Sequence, residues 1–132
     1  MTNSIWHMPN MSKLIELHNQ ARSKNSWMWS INPLMINEEL MKYAQDWATI
    51  MSQKESLKHS NMRDISKLGF KTVGENIAYG QKDEESVMKT WLWSPGHRAN
   101  IMKSSFNQIG CGFSYSDKNI IYWCVCFGKK KK

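Results

Sequence analysis

The run Ile120–Gly128 has no polar face. Tyr122, Cys124 and Cys126 alternate with Ile121, Trp123, Val125 and Phe127, so a strand here is apolar on both sides. Such a strand is stable only with one layer above it and another below. A partner strand at Ile109–Tyr115 precedes it across Ser116-Asp117-Lys118-Asn119, which is turn chemistry. Helical patterns flank this pair in sequence. The economical architecture is therefore α+β: an α-β-α sandwich, with a small antiparallel sheet between helical layers. A chain of 132 residues suits one domain with one core.

The helices are marked by period and caps. Met11–Lys24 places Met11, Leu14, Ile15, His18 and Ala21 on one face. Asn25–Pro33 reads as a loop in which Trp27 and Trp29 imply packing. Asn37 is an N-cap followed by Glu38 and Glu39, and Leu40, Tyr43, Ala44, Trp47, Ala48 and Met51 continue a helix to about Ser56. Met62–Leu68 suits a short helix, and Phe70–Val73 has strand character. Asp83, Glu84 and Glu85 open a further helix that Pro95 ends, because proline disfavours helical geometry at Ser94. A last short helix is expected over His97–Lys103.

Two features ask for a chemical reason. His97 lies at a bend between helices, near a helix start that favours the neutral imidazole. Glu75 is a lone carboxylate beside an apolar stretch, between Gly74 and Gly80. His18 sits on an apolar helix face and reads as structural, His7 as a surface residue. Arg22 reads as an ordering group for carbonyls or an acid. Trp91 belongs to the core, and Trp93 either lines a cleft or packs.

The net charge of +7 is a weak guide to partners. Lys129–Lys132 supply four of those charges. This basic tail is expected to be solvated and to add weak attraction to anionic surfaces, about 1 kcal/mol per lysine near such a surface. No motif for specific nucleic-acid binding accompanies it. Residues 1–10 read as an N-terminal extension, 11–128 as the domain and 129–132 as the tail. No secretory signal is visible at Met1–Asn10. Three cysteines are too few for a disulfide framework, and buried thiols are the plain reading of them. If Tyr115 pairs with Ile120, Cys111 falls opposite Cys124, close enough to test for a disulfide.

Seven segments, in order, resemble the CAP superfamily of cysteine-rich secretory, antigen 5 and pathogenesis-related 1 proteins, in its bacterial SCP-like form. They are His18-Asn19-Gln20-Ala21-Arg22, Leu40 through Ala48, His59-Ser60, Gly74 through Gly80, Trp91 through Met102, Ile109 through Gly112, and Tyr122-Trp123. The resemblance covers roughly Leu14–Phe127. It implies the same α-β-α sandwich and a cleft built on two histidines and two acids. By position these are His59, His97 and Glu75, with Ser94 where eukaryotic members have the second acid and Asn100 in place of a glutamine.

What the resemblance implies for function is a ligand-binding or interaction domain without catalysis. His59 and His97 can bind Zn²⁺ or another divalent metal, and Glu75 can orient a histidine or a water. The implied ligands are a lipid, a sterol, a glycan or a protein partner. The competing class is a metal-assisted, peptidase-like hydrolase with His59, Glu75 and His97 as catalytic groups. A third is a structural subunit of a larger extracellular or virion assembly. A Ser-His-acid hydrolase using Ser60 or Ser94 is disfavoured, since neither serine lies in a nucleophile elbow. The resemblance implies an extracellular location; the absence of a visible signal leaves cytoplasmic or particle-associated placement as the alternatives.

Overall fold

The doubly apolar strand is the inner strand of the sheet. The fold is given by a computed structural model that describes residues 8–24 and 31–131. Its elements are α1 (Met11–Lys24), β1 (Met35–Ile36), α2 (Glu38–Lys54), α3 (Met62–Ser66), β2 (Phe70–Tyr79), α4 (Glu84–Trp93), α5 (Pro95–Met102), β3 (Gln108–Tyr115) and β4 (Ile121–Lys130). The sheet order is β1-β3-β4-β2. β4 pairs antiparallel with β3 and with β2, which places it between them. His7, Trp27 and Trp29, with the expectations attached to them, lie outside the described residues.

Each face of β4 meets its own core. Ile121, Trp123, Val125 and Phe127 pack with Leu14 and Ile15 of α1, Val87 and Trp91 of α4 and Ile101 of α5. Tyr122, Cys124 and Cys126 pack with Leu40, Ala44, Ala48 and Met51 of α2 and Ile65 of α3. The sandwich is thus α1, α4 and α5 on one side and α2 and α3 on the other. Trp91 is fully buried, and its indole N–H donates to the Ile77 carbonyl at 3.1 Å. Trp93 is 79% exposed, so it does not pack.

Local chemistry sets the helix ends. The Asn37 side chain accepts from the Leu40 N–H, and the Asp83 side chain accepts from the Ser86 N–H. α2 stops at Glu55, which adopts a left-handed conformation at φ 50°. Pro95 starts α5 rather than merely ending α4, with Ser94 extended at φ −102° and ψ 120°. Proline at the first helical position gives up an N–H that would have had no partner in the helix. The helix therefore begins two residues before His97 and ends at Met102.

Three expectations need correction. The sheet is mixed, not purely antiparallel: β1 pairs parallel with β3 through Met35 and Ile36, two exposed residues too few to show a strand period. The β3–β4 register is one residue off the expected one. Tyr115 pairs with Ile121, because the Ser116 N–H donates to the Ile120 carbonyl at 2.8 Å around a three-residue loop ending at Asn119, φ 64°. Cys111 therefore opposes Val125 in one core cluster, while Cys124 lies in the other. All three cysteines are free and buried, and a Cys111–Cys124 disulfide is excluded by the sheet between them. Lastly, the basic tail is not simply a solvated end. Lys129 pairs with Thr72 and Lys130 with Phe70, and the Lys131 N–H donates to the Gly69 carbonyl at 3.0 Å.

His18 is structural, as its helix face implied. It is fully buried, tilted against Trp91 and Phe127 with ring centroids 6.0 and 5.7 Å away. Its Nδ1–H donates to the Leu14 carbonyl at 2.8 Å. Burial pulls its pKa down to about 4; the Leu14 carbonyl opposes that shift, and nearby Arg22 adds to it. The folded state thus refuses a proton that the unfolded chain accepts near pH 6.5. Stability is intact above that value and falls as pH drops towards 4, by about 2 kcal/mol at pH 5. Urea unfolding at about pH 5 and pH 7.5 should show that loss in the wild type and lack it in His18→Phe. Equal slopes in both proteins would remove His18 from the account.

Candidate functional site

Glu75 is placed by β2, whose successive side chains address opposite faces of the sheet. Opposite Cys126 in the ladder, its carboxylate faces the α2–α3 layer and is buried, with 4% of the residue exposed. The connector Ser56–Asn61 lies over it. Two aromatic side chains of α2 tie that connector down: the Trp47 indole N–H donates to the Lys58 carbonyl at 2.7 Å, and the Tyr43 hydroxyl donates to that of Asn61 at 3.2 Å. Asn61 then caps α3 through the Arg63 N–H. His59 and Ser60 are thereby laid on Glu75.

The carboxylate is well supplied with donors. Oε1 accepts from His59 Nδ1–H and from the Ser60 N–H, each at 2.9 Å. Oε2 accepts from the Ser60 hydroxyl at 2.6 Å. On the core side, the Cys124 and Cys126 sulfurs lie 3.9 and 4.0 Å from Oε2. Glu75 therefore orients His59 and also holds the connector to the sheet edge. The Glu75–His59 pair fixes the tautomer of the histidine: Nδ1 carries the proton, and Nε2 keeps the lone pair that can bind a metal.

His97 reaches the same strand from the opposite layer. Its Nδ1 is 2.9 Å from Ser94 Oγ, so a hydroxyl orients this ring where Glu75 orients the other. Ser94 is the N-cap residue of α5, yet its side chain makes no capping bond and is turned to His97 instead. The His97 carbonyl accepts from Asn76 Nδ2–H at 3.0 Å. Asn100 Nδ2–H donates to Asn76 Oδ1 at 2.9 Å and to the Glu75 carbonyl at 3.3 Å. Burial holds the His97 pKa below the usual imidazole range, and the proximity of His59 lowers it further. His97 is thus neutral at pH 7, the form that donates to a metal.

Beside His59 lies a cleft of about 560 Å³. Tyr43, Trp47 and Ile50 are its apolar lining, Asp46, Lys58 and Asp64 its charged groups, and His59 and Ser60 border it as well. Ser94, His97 and Asn100 are not part of this lining; they join the site through Asn76. Acid, histidine and serine do not form one relay. Ser60 donates to Glu75 rather than to a histidine, and the histidine that meets a serine, His97, is not the one bonded to Glu75.

Sequence reasoning missed Asn76 as the tie between the layers, the aromatic lining from α2, and the two sulfurs under Glu75. The Cys-X-Cys spacing shows that Cys124 and Cys126 share a face. Only the β2–β4 register shows that Glu75 shares it too.

A mixed sheet between two helical layers, with His59 held on the buried Glu75 of the edge strand from one layer and His97 held on its neighbour Asn76 from the other, defines a class of α-β-α sandwich domain. The chain belongs to the CAP, cysteine-rich secretory protein family, whose model matches residues 15–127. Among its relatives is the uncharacterized protein YkwD of Bacillus subtilis (strain 168), 38% identical over 109 residues. That similarity covers 76% of this chain and 41% of YkwD, so the chain spans about two fifths of that relative's length. An outer surface protein from Borrelia burgdorferi has the same fold with a TM-score of 0.81 and 26% identity, covering 92% of each chain. The crystal structure of NaASP2 with Zn²⁺ matches with a TM-score of 0.69 at 17% identity, over 90% of this chain and 82% of that one. No helix among the described residues is long and apolar enough to cross a membrane.

Proposed function

We propose that this chain is a non-catalytic CAP domain that takes a small polar ligand in the cleft beside His59, with a divalent metal held by His59 and His97. The observation that carries this reading is the disposition of the two imidazoles. Each has its Nδ1 engaged by a fixed side chain, Glu75 or Ser94, which leaves the Nε2 lone pair for a metal. Zn²⁺ suits such neutral nitrogen donors and would keep open positions for water or ligand. A hydroxyl in place of the second carboxylate supplies less negative charge and so favours weaker metal binding. Of the ligand classes that fit a CAP domain, the charged groups of the cleft favour a glycan. Tyr43 and Trp47 line the cleft beside Asp46, Asp64 and Lys58, and aromatic surface next to charged groups is what binds a sugar. Kinship with an outer surface protein supports an extracellular location.

Calorimetric titration of the metal-stripped protein with Zn²⁺ tests the metal at neutral pH. One histidine-dependent site is expected in the wild type, weakened at least tenfold in His59→Ala and in His97→Ala, and weakened about tenfold in Glu75→Gln, which keeps a hydrogen-bond acceptor but loses the charge. A folded wild type that binds no Zn²⁺, or binding indifferent to both histidines, would overturn the metal part of the reading. A Ser-His-acid hydrolase gains nothing from the geometry, because no serine is placed between a histidine and Glu75.

A further inference from the structure

The sulfurs beneath Glu75 form a second donor set that the histidine cleft does not use. Cys124 and Cys126 occupy alternate positions of β4, so both point into the α2–α3 layer, and their Sγ atoms are 3.9 Å apart. With Glu75 Oε2 they make a triangle with sides of 3.9, 3.9 and 4.0 Å. All three residues are buried. A tetrahedral zinc-like ion with metal–sulfur bonds near 2.3 Å and a metal–oxygen bond near 2.1 Å needs its sulfurs about 3.8 Å apart and each sulfur about 3.6 Å from the oxygen. The triangle is within about 0.4 Å of that requirement on every side, before any side chain moves.

We propose that Cys124, Cys126 and Glu75 form a binding site for a thiophilic divalent d¹⁰ cation such as zinc or cadmium, which shares Glu75 with the histidine cleft but uses neither His59 nor His97 as a ligand. Each thiol gives up its S–H proton to solvent as a metal–sulfur bond forms, so two protons leave for one dication. Two thiolates neutralise that dication, and what the core must hold is an uncharged dithiolate unit beside a carboxylate. That is far less costly than burying an isolated ion. Soft sulfur donors select such ions over magnesium or calcium. The buried Glu75 is covered from the cleft by Ser60 and the largely exposed His59, so loading from that side would have to part the Ser60–Glu75 bond. Cys111 takes no part, since the sheet separates it from the other two.

The test uses the full chain, kept reduced, unfolded and refolded with one equivalent of Cd²⁺, then desalted. One cadmium per chain is expected to remain, with an ultraviolet thiolate-to-cadmium charge-transfer band. Cys124→Ser and Cys126→Ser should each lose the retained metal. Cys111→Ser and His97→Ala should keep it, which separates this site from the cleft even if Zn²⁺ binding at the histidines fails. A folded wild type that retains no cadmium overturns the proposal, as does a band that survives in both serine variants. Should those variants not fold, the cadmium NMR shift of the wild type decides instead: a two-sulfur environment is expected, and one of oxygen and nitrogen donors alone refutes the assignment.

Discussion

Arg22→Ala is expected to cost about 3–5 kcal/mol, a large part of the 5–15 kcal/mol that holds a typical domain together. The guanidinium is fully buried, and its partners are all backbone carbonyls. Nε and Nη2 donate to the Asn32 carbonyl at 3.0 and 2.6 Å, Nη1 to those of Ile101 and Lys103 at 2.9 and 3.0 Å, and Nη2 to that of Phe106 at 3.1 Å. Two of those carbonyls lie at the end of α5 and just beyond it, where a helix presents partial negative charge. Burial lowers the Arg22 pKa to about 10, so the group remains charged at neutral pH. Removing it strands four carbonyls and opens a cavity at once. Arg22→Lys should recover only part of the loss, because an ammonium cannot reproduce the planar fork. Urea unfolding of the three proteins checks this; an alanine variant within about 1 kcal/mol of wild type would show that water or a shifted chain satisfies those carbonyls.

Gly110→Ala is expected to destabilise by about 3 kcal/mol or more, at or past the upper end for overpacking. A Cβ at Gly110 would sit 2.5 Å from the Leu40 carbonyl oxygen, and closer still to the Leu40 carbonyl carbon and the Met41 nitrogen. These are backbone atoms of α2, so no side chain can swing aside. Gly112 has the same relation to Gln45, whose backbone nitrogen would lie 2.7 Å from the added carbon. The glycines form a trough on β3 into which α2 sinks. At its end, the Gln45 side chain bonds both backbone groups of Phe113, accepting at 3.1 Å and donating at 2.7 Å. The helix thus pairs an edge that β1 is too short to cover. Thermal melts of Gly110→Ala and Gly112→Ala check the account; two melts close to wild type would show that α2 is free to ride outward.

Most of the layers was legible, because the information is local. Asn37 and Asp83 announce helix starts, and the apolar period of α2 runs unbroken for three turns. The two blank faces of β4 demand a sandwich. What was not legible depends on distant partners. Lys129 and Lys130 look like a disposable tail until Thr72 and Phe70 are found beside them. A single left-handed residue, Asn119, shifts the register and moves Cys111 to the other side of the sheet. For the site, the family resemblance put His59, Glu75 and His97 together, and no periodicity could have done so. His59 and Glu75 are joined by a connector whose path is set by Trp47 and Tyr43, one helix away in sequence.

The edge strand speaks to both cores through consecutive residues. Glu75 grips the α2–α3 layer by way of His59 and Ser60, and Asn76 grips the α4–α5 layer by way of His97 and Asn100. A ligand that bridged the two histidines would therefore act as a strap around the rim of the sheet. It would resist the peeling of β2 from β4, the opening that an edge strand permits most readily. Occupancy would then be written into slower exchange of the β2 and β4 ladder amides, well along the strands from any atom the ligand touches.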